Sequence, residues 1–188
     1  MVTLSDSKGV IYCKNGIDHE ILEKVRKLKH DRKSLSELDC DGVEYHADKK
    51  SWEFKGDLAF PCATQNEINL DDMKKMHEHN IQGIFEGANM PCTNEAINYA
   101  LEKNMLFAPA KAANAGGVAI SALEMSQNSI GYSWSREKVD KKLQEIMHEI
   151  HDTCLKYGKD GDKVNYKKGA NIGGFKKVAD SMLKFGVN

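Results

Sequence analysis

The feature that most constrains the fold is a recurring order of short apolar run, small or polar residues, and helical pattern. Apolar runs at residues 57–60, 81–85 and 105–108 each stop at a cluster of proline, glycine or polar residues. Short strands that alternate with helices at this spacing are typical of a parallel sheet covered by helices. The sequence therefore predicts an α/β fold, with any ligand crevice beyond the carboxyl ends of the strands.

Composition excludes several classes of partner. The chain has 188 residues, 40% of them hydrophobic, and only three prolines, which suits an ordered globular protein. Lys+Arg 27 against Asp+Glu 28 gives no broad attraction to nucleic acid or acidic membranes. No apolar run approaches the ~20 residues of a membrane span. Five cysteines without a C-x-x-C pair favour reduced thiols in the cytoplasm over disulfides or a metal site.

The first apolar run, residues 1–6, is interpreted as a buried parallel strand that ends at Asp6. An acid at the end of the second strand of a dinucleotide fold commonly binds the adenosine ribose 2′-hydroxyl, which favours NAD. The alternative is a plain turn that begins with a side chain bonded to its own backbone. Asp6 alone does not decide between NAD and NADP as the cofactor.

A basic cluster follows an amphipathic helix predicted over residues 17–28. It includes Lys29, Arg32 and Lys33. Such a cluster is usually a solvated face that also suits a helix C-terminus. Its functional interpretation is a cationic wall for the extra phosphate of NADP, since arginine can bind two phosphate oxygens at once.

The loops that follow the three later strands carry small and amide side chains. Asn89 supplies both a hydrogen-bond donor and an acceptor next to a glycine–alanine pair. Residues 112–117 predict a bend nearly free of side chains, with a helix from about Val118. The backbone can approach a ligand closely at such a bend. Asn114 could instead be a turn former and Val118 a core residue.

Four stretches resemble the hexameric, NADP-dependent glutamate dehydrogenases in the same order. They are LAFPCATQNE, FEGANMP, KAANAGGVAIS with EMSQN, and NYKKGANIGGFKKVADSM. The resemblance implies a Rossmann-like parallel sheet that lacks its first strand, plus C-terminal helices. Residues 1–130 would be a partial dinucleotide-binding domain, and residues 131–188 a helical segment packed on it. The implied activity is reversible oxidative deamination of L-glutamate to 2-oxoglutarate and ammonia with NADP, in a homohexamer.

The same resemblance implies roles for individual residues. Ser121 matches the serine that binds the distal carboxylate of the substrate, and Val118 the residue that packs against the substrate chain. Asn114 matches the asparagine that holds the nicotinamide carboxamide, and Asn89 the one that points at the nicotinamide ribose. The other expected cofactor-binding residues are Ser5, Asp6, Ser7, Lys29, Arg32, Ala63, Thr64 and Gln65.

Two parts of the family pattern are missing from this sequence. It has no G-x-G-x-x-G/A turn to hold a pyrophosphate, and the family's catalytic lysine and aspartate have no counterpart in it. We therefore expect a C-terminal fragment of a longer enzyme, inactive alone and without a catalytic residue of its own. Two alternatives stay open: a related NAD-preferring amino-acid dehydrogenase, and a non-catalytic nucleotide-binding module.

Overall fold

The computed structural model describes residues 1–186, which divide into two compact units. The first unit contains Met1–Asp57 and Asp71–Ile81, and the second contains Leu58–Leu70 and the chain from Gln82 onward. Each unit has its own three-stranded sheet. No helix in residues 1–186 combines the length and the apolar character that crossing a membrane requires.

The first unit is built on an antiparallel sheet of order β1-β2-β3. Its strands are β1 (Thr3–Asp6), β2 (Gly9–Tyr12) and β3 (Glu44–Ala47), and its first helix is α1 (His19–His30). Asp18 caps α1 by accepting a hydrogen bond from the Ile21 backbone N–H. Ile21 and Val25, one turn apart, face a core that also contains Ile11, Cys13 and Leu35.

The expected parallel strand at residues 1–6 is wrong, because β1 turns back into a hairpin with β2. Asp6 lies opposite Gly9 in the register. The Asp6 carboxylate accepts a hydrogen bond from the Lys8 backbone N–H at 2.9 Å, which closes the turn locally. A Cβ at Gly9 would clash with the His46 carbonyl oxygen, so only glycine lets β2 lie this close to β3. The alternative interpretation, a turn begun by its own side chain, is confirmed.

The second unit contains the predicted parallel sheet, in the order β4-β5-β6. Its strands are β4 (Leu58–Ala59), β5 (Gly83–Phe85) and β6 (Leu106–Ala108). Helix α3 (Asn94–Glu102), capped by Thr93, links β5 to β6. Helix α2 (Leu70–Glu78) lies between β4 and β5 along the chain, but from Asp71 onward it belongs to the first unit. Ile84 and Phe107 are buried partners in neighbouring strands. The α/β class and the parallel sheet are confirmed.

The bend expected at residues 112–117 is helical instead. Helix α4 (Ala110–Ala113) begins after Pro109, and α5 (Ala115–Ile130) follows with only Asn114 between them. Alanine is the strongest helix former, and this run of alanines outweighs the two glycines. A Cβ built on Gly116 would lie 3.5 Å from Leu143, on the following helix, so this glycine packs against protein.

A long helical hairpin completes the described chain. It consists of α6 (Arg136–Gly158), capped by Ser135, a two-stranded ribbon of β7 (Lys159–Asp160) and β8 (Lys163–Val164), and α7 (Tyr166–Phe185). Helices α6 and α7 touch through glycine: a Cβ on Gly169 would clash with the backbone of Cys154. Helix α6 also packs on α5, and α7 on β6. The domain boundary expected at residue 130 stays a prediction.

Candidate functional site

The loops that leave β4, β5 and β6 border an open cavity of about 650 Å³ in the second unit. Because the three strands are parallel, their carboxyl ends meet at one edge of the sheet, where such crevices lie. Its lining residues are Ala63, Thr64, Gln65, Gly87, Ala88, Asn89, Asn114 and Val118. The second unit thus brings together every site residue that the sequence placed in it except Ser121.

The first two loops are fixed to each other through backbone groups. The Pro61 carbonyl oxygen accepts hydrogen bonds from the N–H groups of Gly87 and Ala88, both at 3.0 Å. A Cβ on Gly87 would lie 2.5 Å from the Cys62 sulfur, so no larger residue fits this position without displacing its neighbour. The sequence predicted that Gly87 and Ala88 would let the backbone come near a ligand, and both residues line the cavity.

The loop that carries Ala63, Thr64 and Gln65 is exposed and held at its base. The Ala63 backbone N–H donates to the Glu67 carboxylate at 3.1 Å. At the other end of the loop, the Asn66 backbone N–H donates to the Met90 carbonyl at 3.0 Å. The cavity wall therefore presents small side chains and one flexible amide, Gln65, on a tethered backbone.

The polar centre of the cavity is the side-chain pair Asn89 and Asn114. The Asn114 Nδ2 donates to the Asn89 Oδ1 at 2.9 Å and to the Gly87 carbonyl at 3.1 Å. A carbonyl only accepts, so the group that faces it must be the amino group of Asn114. The Asn114 oxygen and the Asn89 amino group are then the groups of this pair that a ligand can use. The Asn114 side chain makes no capping hydrogen bond to α5. The alternative role as a turn former therefore does not explain why this side chain bonds to Asn89 and Gly87.

Val118 and Ser121 lie three residues apart on α5 and hence on one face of the helix. Val118 is 71% exposed on the cavity wall, so the expectation that it could be a core residue is wrong. Ser121 is exposed, and its hydroxyl donates to the Gly117 carbonyl at 3.3 Å. Ser121 therefore lies beyond the lining residues, one turn along the helix from them.

The first unit holds a charged cluster around Asp6. The carboxylate forms an ion pair with Lys29 and accepts hydrogen bonds from the backbone N–H groups of Leu35 and Lys8, both at 2.9 Å. Burial alone would raise the pKa of Asp6, but these three donors outweigh it and lower the pKa to about 2. Asp6 is therefore an anion at neutral pH, and Lys29 balances its charge.

The polar side chains around this ion pair differ in exposure and in the contacts that they already make. Lys29 also donates to the Lys33 carbonyl at 3.2 Å. Arg32 follows α1 in the left-handed region with a φ of 57°, and its exposed guanidinium makes no ion pair within residues 1–186. Ser5 and Ser7 flank Asp6 and are exposed at the hairpin turn. In the described part of the chain, no three His, Cys, Asp or Glu side chains are grouped to hold a metal ion.

The sequence profile of the Glutamate/Leucine/Phenylalanine/Valine dehydrogenase family matches residues 1–186. The chain belongs to this family. The resemblance that the four sequence stretches indicated is thereby confirmed.

Members of the family resemble the chain over its whole length. An NAD-specific glutamate dehydrogenase from Porphyromonas gingivalis and an NADP-specific one from Psychrobacter are each 46% identical to it over 193 residues, which is 43% of each relative. The crystal structure of Plasmodium falciparum glutamate dehydrogenase has a TM-score of 0.92 to the chain at 45% identity, and covers 100% of this chain and 41% of that one. The chain thus spans less than half the length of these relatives.

Proposed function

We propose that the protein that carries this chain is a glutamate dehydrogenase, which converts L-glutamate, water and NADP⁺ reversibly to 2-oxoglutarate, ammonium, NADPH and a proton. The observation that carries the proposal is the Asn89–Asn114 pair on the wall of the strand-end cavity. A nicotinamide carboxamide needs an acceptor for its N–H₂ group and a donor for its carbonyl, and this pair offers one of each. Relatives named as glutamate dehydrogenases support the choice of substrate.

In this proposal, the residues of this chain bind and orient the cofactor and the substrate. The nicotinamide cofactor, when bound, carries the hydride. The Asn114 oxygen accepts from the carboxamide, and the exposed Val118 side chain packs against the apolar part of the substrate. The Ser121 hydroxyl leaves the Gly117 carbonyl and donates to the distal carboxylate, a charge-assisted bond that is stronger than the one it replaces. We assign no proton transfer to a residue of this chain.

The choice of NADP rests on the cations at the end of α1. The Arg32 guanidinium is exposed and makes no ion pair with the described residues, so it can receive a phosphate. The Lys29 ammonium neutralises Asp6, which would otherwise repel the 2′-phosphate. The hydroxyls of Ser5 and Ser7, exposed on either side of Asp6, add donors for that phosphate.

NAD is the second candidate cofactor, and Asp6 is the observation that favours it. Its pKa of about 2 keeps the carboxylate ionised at neutral pH, at the end of a strand. An anionic acceptor suits a ribose hydroxyl better than a phosphate. The relatives that are similar to this chain include both NAD-specific and NADP-specific enzymes.

Initial rates of the protein that carries the chain test both assignments. We expect faster turnover with glutamate than with leucine, and with NADP than with NAD. Lys29→Ala should raise the KM for NADP about tenfold and leave the KM for NAD within about twofold, because it removes a cation and frees the Asp6 charge. The control is Lys27→Ala, an exposed lysine in the last turn of the same helix. A higher rate with NAD, or equal effects of both variants, contradicts the NADP assignment.

We also propose that the protein is a cytoplasmic homohexamer. Five free cysteines in the described chain support a reducing compartment. Large apolar side chains that α7 leaves exposed, Phe175 and Leu183 among them, favour association with further protein surface. Light scattering of the purified protein measures the assembly state, and a monomeric mass contradicts this proposal.

A further inference from the structure

The buried carboxylate of Glu86 has no role in the chemistry described so far. Glu86 directly follows β5, and only 3% of it is exposed. Its Oε2 accepts from the Ala110 backbone N–H at 2.8 Å, and its Oε1 accepts from the Cys92 backbone N–H at 3.3 Å. A buried carboxylate is costly unless it is fully hydrogen-bonded, so these two donors determine where it can lie.

The two donors belong to the segments that carry the asparagine pair. Cys92 ends the loop in which Asn89 lies, and Ala110 is the first residue of α4, which leads directly to Asn114. Pro109, at the N-cap of α4, provides no side-chain cap. Glu86, directly after β5, supplies the acceptor that a capping side chain would otherwise supply. The Glu86 carboxylate thus connects the end of the Asn89 loop to the start of α4.

The neighbouring Cys92 thiol adds no second charge beside this carboxylate. Burial raises the pKa of the Cys92 thiol well above its ordinary value, and the Glu86 carboxylate raises it further. The thiol therefore stays neutral. An amide at position 86 would have one acceptor oxygen for two N–H donors and would turn its own N–H₂ toward the other donor.

We propose that Glu86 is a positioning residue, which holds Asn89 and Asn114 at the separation where their side chains meet and so sets the affinity of the cavity for the nicotinamide end of the dinucleotide. This inference rests on the proposed function. It predicts that a substitution of Glu86 weakens the binding of the nicotinamide end and leaves the binding of the rest of the dinucleotide nearly unchanged. A residue that only stabilised the fold would weaken the binding of every part of the ligand alike.

The test compares Glu86→Gln with Asp72→Asn in the full protein. Asp72 is a matched control, because it is a 5% exposed carboxylate that accepts from Trp52 Nε1 at 3.0 Å and from Lys50 Nζ at 2.8 Å, within the first unit. Calorimetry measures the affinity for NADP and for 2′-phospho-ADP-ribose, which lacks the nicotinamide ring. We expect Glu86→Gln to weaken NADP binding about tenfold and the ring-free probe less than about twofold. Equal losses for both probes, or unchanged NADP affinity, overturn the proposal.

A second readout separates this inference from the proposed function. Hydrogen exchange measured by mass spectrometry reports directly on the Cys92 and Ala110 N–H groups. Glu86→Gln should speed exchange in residues 86–92 and 110–114, and Asp72→Asn should not. If the unmodified protein binds neither probe, the proposed function fails, and the exchange result still decides whether Glu86 holds the two segments: faster exchange supports that role and unchanged exchange overturns it.

A further variant covers the case in which Glu86→Gln does not fold. Ala110→Pro removes one donor and leaves Glu86 intact. Proline is favoured at the first helical position, and Pro109 has the φ of −70° and ψ of 148° that a residue before proline adopts. The same loss of NADP affinity, with the ring-free probe unaffected, is expected. Binding equal to that of the unmodified protein overturns the proposal.

Discussion

Asp6 shows how one residue can serve both the fold and a ligand site. Its carboxylate closes the β1–β2 turn, pairs with Lys29 in the last turn of α1 and accepts from the Leu35 backbone N–H. These contacts join three segments of the first unit through one side chain. Any role of Asp6 toward a cofactor is therefore superimposed on a structural role.

The structural role of Asp6 predicts an acid-sensitive part of the stability. The pKa falls from 3.8 to about 2 on folding. The contribution is therefore complete above about pH 4 and is lost as the pH falls toward 2. After allowance for solvent screening, it amounts to about 1–2 kcal/mol. Urea unfolding of Asp6→Asn should show this deficit at pH 6 and a much smaller one near pH 2.

The control for this measurement is Asp39→Asn. Asp39 is an exposed acid of the same unit without an ion pair in the described chain, so its substitution should have little effect at either pH. A deficit of Asp6→Asn that is the same at pH 2 and pH 6 contradicts the assignment of the low pKa.

Ser121 allows a test of the proposed substrate contact, with another serine of the same helix as a matched control. Ser121→Ala should raise the KM for glutamate about tenfold and leave the KM for NADP unchanged, because the hydroxyl is proposed to meet only the distal carboxylate. Ser126 lies on the same helix, and its hydroxyl donates to the Ala122 carbonyl at 2.9 Å in the same way. Ser126→Ala should change neither KM. Equal effects of the two substitutions remove the assignment of Ser121.

Individual elements differ in how far the sequence predicted them. The strand at Leu106–Ala108 lies within the apolar run predicted at residues 105–108, because its signals, an apolar run stopped by a proline, are local. The turn at Asp6 was predicted only as an alternative, because a strand of four residues is too short for its apolar pattern to tell a parallel from an antiparallel neighbour. The end of α4 and the first residues of α5 were predicted as a bend because glycine and asparagine are turn signals, whereas the helix from about Val118 was predicted correctly. The neighbouring alanines and the packing of α6 outweigh them.

The candidate site was predictable in part, for the same reason. The loops after β4, β5 and β6 follow from the strand order, so their meeting at one edge was foreseeable. The bonds of Asn114 to Gly87 and Asn89 span 27 and 25 residues along the chain. No local pattern encodes contacts at this separation. The same holds for the ion pair between Asp6 and Lys29.

The α6–α7 hairpin predicts opposite effects for two glycines of one helix. Gly169→Ala should destabilise the protein by about 1–3 kcal/mol, because the new methyl group meets the Cys154 backbone. A Cβ on Gly174 meets nothing within 4 Å. Gly174→Ala should therefore be neutral or stabilise by up to about 1 kcal/mol through its higher helix propensity. Urea unfolding at neutral pH measures both, and a loss for Gly174→Ala similar to that for Gly169→Ala contradicts the packing argument.

At the scale of the whole molecule, much apolar surface is left uncovered in the described chain. Helix α7 leaves Phe175 73%, Leu183 86% and Phe185 83% exposed. Exposed apolar side chains of this number on one helix favour association. The chain also spans less than half the length of its relatives. Both observations favour contact between α7 and further protein surface.

We expect the chain of 188 residues, purified alone, to self-associate as its concentration rises. The double substitution Phe175→Gln with Leu183→Gln should lower the apparent mass measured by light scattering, because it removes two of the most exposed apolar groups of α7. Lys177→Gln changes an exposed lysine of the same helix and serves as the control. An apparent mass that is independent of concentration, or unaffected by the double substitution, contradicts this expectation.

The exposed Val118 has a thermodynamic consequence. An isopropyl group held in water beside a polar cavity is hydrated at a cost in solvent entropy, and a ligand that covers it releases those water molecules. Ligand binding here should therefore carry a negative heat-capacity change, and Val118→Ser should make that change smaller. The temperature dependence of the binding enthalpy would then distinguish an apolar contact at Val118 from binding by the two amides alone.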